Sequence, residues 1–143
     1  MILFKWNSQL SVHIDSIDEE HKEIFSMLNA LHDATKDKDQ IHNLEALLDE
    51  VLVFLKNHFF HEEKFMLHHK YPSYSLHKKA HKNLFEQVQN YKNQMNVNNP
   101  FICNQILQLL RDSITPHIYS LDKGYAQFIA KSMKTKYASK ESS

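Results

Sequence analysis

The chain has 143 residues, with one glycine, one cysteine, and 17 basic side chains against 17 acidic ones. This length suits one domain with one core, and the single glycine argues against glycine-rich phosphate loops and turn-dense β architectures. The balanced charge predicts neither a nucleic-acid partner nor a membrane partner, and Arg111 is the sole arginine. We expect a cytoplasmic location, because the sequence shows no recognisable signal peptide or membrane-spanning apolar run and Cys103 has no disulfide partner.

The first 15 residues have no helical period and are expected to form an extended arm that packs on the rest of the domain. Ser16 and Glu19 have the spacing of a capping box, which predicts that the first helix begins at Ser16. Its apolar stripe runs from Ile17 to Leu31 and fades in the polar segment 35–40.

Three further amphipathic helices are predicted over residues 41–67, 74–95 and 101–133, separated by proline-containing segments. Short connections between four amphipathic helices predict an up-down-up-down four-helix bundle. We therefore expect an all-α fold.

The predicted domain covers residues 1–133 and includes the extended N-terminal arm. Residues 134–143 are polar and are expected to form a frayed C-terminal tail.

Histidine is unusually frequent, with 11 residues in the chain. Five histidines and two carboxylates continue the apolar stripes, so they point to the predicted core: His21, His58, Glu62, His77, His81, His117 and Asp122. Burying such groups without partners costs several kcal/mol or more each, and a metal would compensate. Imidazole and carboxylate ligands suit iron, manganese or zinc, and seven ligands exceed the four that one zinc takes. The pattern predicts two metals close together.

Other known arrangements of histidine and carboxylate explain this pattern less well. A single histidine on an apolar face is usually a hydrogen-bonded core residue, but seven polar residues in two tight pairs across four helices are not explained that way. The remaining histidines are expected at the surface or just outside the site: His13, His32, His42, His61, His68 and His69. A zinc-protease motif is excluded because Phe65 stands where its second histidine is needed. A ferritin-like site is excluded because the sequence has no Glu-x-x-His.

In chain order, the motifs are a histidine on the first helix, then His-x3-Glu, His-x3-His and His-x4-Asp. This pattern resembles the hemerythrin family, in its bacterial single-domain form, over about residues 4–130. The resemblance implies two iron ions joined by an oxo or hydroxo bridge. It assigns His77, His81 and His117 to one iron, and His21 and His58 to the other, with both bridging positions taken by Glu62 and Asp122.

The resemblance also implies that the iron with two histidines keeps one position open for O2. By position in the family pattern, the pocket for O2 would be lined by Ile24, Phe59, Ile114 and Ile118.

Two departures from the family pattern lie near His117. Ser113 stands where the family commonly has an aromatic residue, which implies either a wetter pocket or another side chain in that space. Pro116 directly precedes His117, and residues five apart lie about 140° around a regular α-helix. We therefore predict a kink or bulge within residues 112–122 that turns His117 and Asp122 toward the irons.

Reversible O2 binding for storage, delivery or buffering is the expected function, with no enzymatic activity and no catalytic residue. Two alternatives use the same residues. One is an O2 or redox sensor that acts through a protein partner, and the other is a di-iron enzyme that reduces peroxide or nitric oxide or repairs iron centres.

Overall fold

A computed structural model of the chain describes residues 4–37, 39, 43–94 and 101–141, with side chains up to residue 133. Its α-helices are α1 (Asp15–Ala34), α2 (Leu44–His68), α3 (Tyr74–Asn93), α4 (Phe101–His117) and α5 (Lys123–Glu141). A π-helical segment, Ile118–Asp122, joins α4 to α5, so the two form one continuous helical rod. The described residues contain no strand.

The helices pack as the predicted four-helix bundle, with the α4–α5 rod as its fourth member. α1 packs on α2, α2 on α3 and α3 on α4, and α1 also contacts α4, which closes the bundle. The predicted apolar stripes supply the fully buried core, including Ile17, Leu28, Leu48, Leu55, Val88, Ile106 and Leu110. Met95, the last residue of the predicted third helix, lies outside the described residues.

The N-terminal arm is extended apart from one 3-10 turn at Ser8–Leu10, and it packs on the bundle as predicted. The Asn29 side chain fixes its start, because its oxygen accepts from the Phe4 backbone N–H at 2.8 Å and its amide donates to the Phe4 carbonyl at 2.7 Å. The carboxylate of Asp18 accepts one hydrogen bond from the Ser11 hydroxyl at 2.6 Å and another from the backbone N–H of the residue after Ser11 at 2.8 Å.

The predicted capping box is wrong. α1 begins at Asp15, so Ser16 lies inside the helix, and the residue before the helix, Ile14, makes no side-chain cap. The arm leaves the helix start in an extended conformation and is held to it by Asp18 instead. Asp18 therefore joins the arm to the helix start where a cap by Ser16 was expected.

The other helix ends differ from prediction by a few residues, except at the C-terminus. α5 continues to Glu141, so the backbone of residues 134–141 is helical where a frayed tail was expected. This stretch contains neither proline nor glycine, so nothing in it interrupts the helix. Residues 142–143, the end of the predicted tail, lie outside the described residues.

Within the described chain, no helix has both the length and the apolar character needed to cross a membrane.

Candidate metal centre

All seven predicted ligand side chains meet in the interior of the bundle. α1 supplies His21, α2 supplies His58 and Glu62, and α3 supplies His77 and His81. The α4–α5 rod supplies the last two, which are His117 at the end of α4 and Asp122 at the end of the π-helical segment. Six of the seven are buried, and the side chain of His117 is 11% exposed.

These side chains form two adjacent groups that share Asp122. In each group the potential ligand atoms lie within 4.8 Å of one another: His77, His81, His117 and Asp122 in one, and His21, His58, Glu62 and Asp122 in the other. Oδ1 of Asp122 lies 2.9 Å from Nε2 of His77, and Oδ2 lies 3.2 Å from Nε2 of His21. The carboxylate thus turns one oxygen to each group, which is the arrangement of a bridging ligand.

Glu62 also faces both groups. Its Oε1 lies 2.7 Å from Nε2 of His58 and 3.8 Å from Nε2 of His81. The two carboxylates therefore stand between the two sets of imidazoles, and both are almost completely buried.

Several polar atoms at the centre are buried without a hydrogen-bond partner among the described residues, and a cation would satisfy them. Both oxygens of Glu62, both oxygens of Asp122 and both ring nitrogens of His21 are buried without a hydrogen bond from any described residue. Oε1 of Glu62 and both oxygens of Asp122 lie within 3.2 Å of imidazole nitrogens, but these pairs do not form hydrogen bonds. Buried polar groups are otherwise almost always paired, and an unpaired one costs free energy. A metal ion coordinated by these atoms would satisfy them.

The spacing of the imidazoles on the second side also fits a metal. Nε2 of His117 lies 3.1 Å from Nε2 of His77 and 3.0 Å from Nε2 of His81. Nitrogen ligands about 2.1 Å from one ion and at right angles are about 3.0 Å apart, whereas tetrahedral ligands are farther apart. Both distances match an edge of an octahedron around one ion, and a nitrogen and oxygen donor set suits iron.

Electrostatics favour the ionised form of the shared carboxylate. Burial alone would raise the pKa of Asp122, but contacts with His117, His21 and His77 hold it well below its usual range. Burial likewise opposes a charge on His58, yet the Glu62 carboxylate and the hydrogen bond to Glu20 raise its pKa to about 10. A cation entering the site would therefore displace a proton from His58.

His81 behaves in the opposite way. Burial and the neighbouring imidazole of His117 lower its pKa to about 2, so this ring is neutral at physiological pH. A neutral imidazole is the form that coordinates a metal. Its ring also stacks on Phe59, with centroids 4.0 Å apart and planes 7° apart, which fixes its orientation.

Glu20, on α1, is a site residue that the sequence reasoning did not single out. His58 donates from Nδ1 to one of its carboxylate oxygens at 2.7 Å, and His61 donates from Nδ1 to the other at 2.6 Å. A histidine that binds a metal through one nitrogen commonly donates from the other to a carboxylate, which fixes its tautomer and orientation. The available signal was an acidic residue directly before His21, but its target on another helix is not visible in the sequence.

Tyr125 is a second residue beside the centre that the sequence did not place in the site. It is fully buried beside the centre, and burial together with the charges of Glu62 and Asp122 raises the pKa of its hydroxyl. Its ring packs against His77 with centroids 5.5 Å apart. The hydroxyl is neutral at any physiological pH and helps to wall the site.

The predicted distortion near Pro116 is confirmed as the π-helical segment Ile118–Asp122. Residues four apart share one face of an α-helix, and the extra residue of a π turn brings residues five apart to a common face. This is how both His117 and Asp122 reach the centre. The hydroxyl of Ser120 donates to the Pro116 carbonyl at 2.7 Å and so links the π-helical segment to the end of α4.

A small cavity of about 10 Å³ lies against the two-histidine side of the centre. That volume is close to the least that holds one water molecule. Its apolar lining contains the four residues predicted for the O2 pocket and two further leucines: Ile24, Leu55, Phe59, Leu84, Ile114 and Ile118. Its polar lining consists of candidate ligands, His21, His58, His117 and Asp122. Ser113 is half-buried and does not line it, so other side chains close the space.

A four-helix bundle that gathers five imidazoles and two carboxylates around two adjacent sites defines a helical protein with a binuclear metal centre. The family model described as "Hemerythrin HHE cation binding domain" matches residues 12–129. The chain belongs to the hemerythrin family. The cofactor of this family is a pair of iron ions, and the two groups of side chains are able to hold it.

Individual relatives agree with this assignment. The chain is 30% identical over 126 residues to a bacteriohemerythrin of Stenotrophomonas maltophilia (strain R551-3), covering 88% of this chain and 81% of the relative. It is 30% identical over 129 residues to a bacteriohemerythrin of Methylococcus capsulatus, covering 87% of this chain and 95% of the relative. A Clostridium acetobutylicum bacteriohemerythrin is 23% identical over 128 residues, with 86% and 98% covered.

Proposed function

We propose that this chain binds O2 reversibly at a di-iron centre held by its seven core side chains. The main support is the cavity of about 10 Å³, which borders candidate ligands and is otherwise lined by apolar side chains. It has the size and polarity suited to a small uncharged molecule. A ferrous iron pair would supply two electrons, one from each ion, for a reversible reaction with O2.

The geometry supports a specific allocation of ligands. His77, His81 and His117 would hold one iron, while His21 and His58 would hold the other. Asp122 and Glu62 would serve both, because each faces the two groups. The set with two histidines has fewer nitrogen ligands, so it would keep a coordination position open. The cavity borders both of its histidines, and of the other three it borders His117 alone.

The side chains around the cavity would protect the bound state. Ile24, Ile114 and Ile118 are each no more than 5% exposed, so little water reaches that wall. Excluding water and dissolved ions slows irreversible oxidation, because charged species are poorly solvated in an apolar space. Apart from candidate ligands, the described lining contains no acid or base, which favours binding over catalytic turnover. Storage, delivery or buffering of O2 would follow.

The test is purification without oxygen, an iron assay, and cycles of air and argon followed by visible spectroscopy. We expect two irons per chain and a charge-transfer band that appears in air and disappears under argon over repeated cycles. His21→Ala should lose iron and the band, whereas His32→Ala on the same helix should retain both. A band that converts irreversibly to the oxidised spectrum would overturn reversible binding and favour a redox enzyme or a sensor.

A further inference from the structure

A second, much larger concavity lies outside the metal centre. It is a surface groove between α2 and α3 with a volume of about 720 Å³. Phe59 and His81 line its inner end, so the groove reaches a candidate iron ligand from the outside. This volume is within the range of sites that hold small organic ligands. O2 is far too small to need such a space.

The walls of the groove are rich in aromatic rings. Phe59 and Phe60 come from α2, while Tyr74 and Phe85 come from α3. Phe60 is 60% exposed although it is a large apolar side chain. Aromatic walls favour a flat ring, because stacked and edge-to-face arrangements add to the gain from burying apolar surface.

The rim of the groove is positively charged. Four lysines stand around it, namely Lys56, Lys64, Lys78 and Lys82, against the two carboxylates Glu63 and Glu86. Two of the ammonium groups lie over aromatic rings: Nζ of Lys64 is 4.8 Å from the Phe60 ring centre, and Nζ of Lys78 is 5.7 Å from that of Tyr74. This excess of positive charge complements an anionic group on the ligand.

We propose that the groove binds a planar aromatic anion of the flavin nucleotide class, and that its reduced form delivers electrons to the oxidised di-iron centre. The ring system would pack against Phe59 and Phe60, and the phosphate would lie among the lysines. Phe59 in turn stacks on the candidate ligand His81, with ring centroids 4.0 Å apart. Because His81 also lines the groove, a single imidazole separates the groove from the centre.

The electron balance is simple. The reduced flavin anion releases two electrons and one proton and becomes oxidised flavin, and each of two ferric ions takes one electron and becomes ferrous. The proton passes to solvent at the open groove. This delivery step rests on the proposed function, whereas binding in the groove does not.

Binding is tested by fluorescence titration of flavin mononucleotide into the iron-loaded protein, with riboflavin as the ligand that lacks the phosphate. We expect one site per chain and binding of riboflavin weaker by about fivefold or more. The double variant Lys64→Glu with Lys78→Glu should bind flavin mononucleotide at least about tenfold more weakly. Lys79→Glu, at an exposed position outside the groove on the same helix as Lys78, should change affinity by less than about twofold.

Delivery is tested by mixing oxidised protein with reduced flavin mononucleotide without oxygen and following the iron absorption. Phe60→Ala should slow the reduction, while Leu76→Ala, 66% exposed and outside the groove, should not. Absent or charge-independent binding would overturn the site, and equal reduction rates in both variants would overturn delivery. If the air and argon cycles fail but binding keeps its charge dependence, the proposed O2 function is wrong and the groove assignment stands.

Discussion

The Glu20 carboxylate accepts a hydrogen bond from Nδ1 of His58 at 2.7 Å, and this bond turns Nε2 of the same ring toward Glu62. The side chain of Glu20 is 24% exposed, whereas that of His58 is 2% exposed. A partly solvated carboxylate on α1 thus fixes a buried imidazole on α2.

Glu20→Ala is expected to weaken iron binding by about 10- to 100-fold, because the ring of His58 loses the partner that fixes its tautomer. Glu20→Gln should lose less, since its amide oxygen can still accept from Nδ1. Iron retention during competition with a chelator measures the effect. The control is Glu23→Ala, an exposed position on the same helix. Equal iron retention in Glu20→Ala and the control would show that Glu20 does not position His58.

Ile118→Thr is expected to shorten the lifetime of the oxygenated form by about fivefold or more, because it places a hydroxyl in the apolar wall beside the centre. The decay of the visible band in air measures this lifetime. Ile102→Thr is the matched control, since Ile102 is buried in α4 but does not line the cavity. If both variants decay at the same rate, general destabilisation is the cause and the cavity wall has no special role.

Removal of iron is expected to lower the melting temperature by about 10 °C or more, because the buried carboxylates and imidazoles then lose their compensating cation. Thermal unfolding with and without a chelator measures the shift. The double variant Glu62→Gln with Asp122→Asn should melt within about 2 °C with or without chelator. Without iron it should be less stable than the wild type, because the imidazoles that lower the pKa of Asp122 and the charged ring of His58 then lose the carboxylates that they contact. If the chelator does not change the melting temperature of the wild type, bound iron does not stabilise the fold.

Deletion of Ser120 is expected to leave the iron content unchanged, because it removes the extra residue of the π turn and leaves the histidine and aspartate four apart on a regular helix. Deletion of Asp112, an exposed residue in the regular part of α4, should abolish iron binding, because it rotates all later residues by about 100°. An iron assay and circular dichroism of both variants compare binding with folding. Loss of iron in both would mean that the π turn has a further role in shaping the site.

Much of the architecture follows from helical periodicity. Side chains on the apolar stripe of each helix must converge when four such helices form a bundle, so the positions of His77 and His81 in the interior could be predicted. The bulge could also be predicted, because a five-residue separation on a regular helix cannot bring His117 and Asp122 to one face. Their binding of iron stays a prediction.

Features that depend on contacts made outside a single helix could not be predicted. α1 begins beside an arm that Asp18 holds, and a capping pattern contains no information about that arm. The role of Glu20 depends on how α1 and α2 are rotated against each other. The groove depends on side chains of two helices that the stripes leave facing outward. Stripes predict what is buried, but not what adjacent helices form together at their outer surfaces.

Phe59 lines both the small cavity beside the candidate ligands and the large groove on the surface. One benzene ring therefore stands between a space of about 10 Å³ and another of about 720 Å³. Aromatic side chains move on thermal timescales, so a displacement of this ring would connect the two spaces. The ring would then act as a size filter, because a diatomic gas could pass it whereas a bulky molecule in the groove could not.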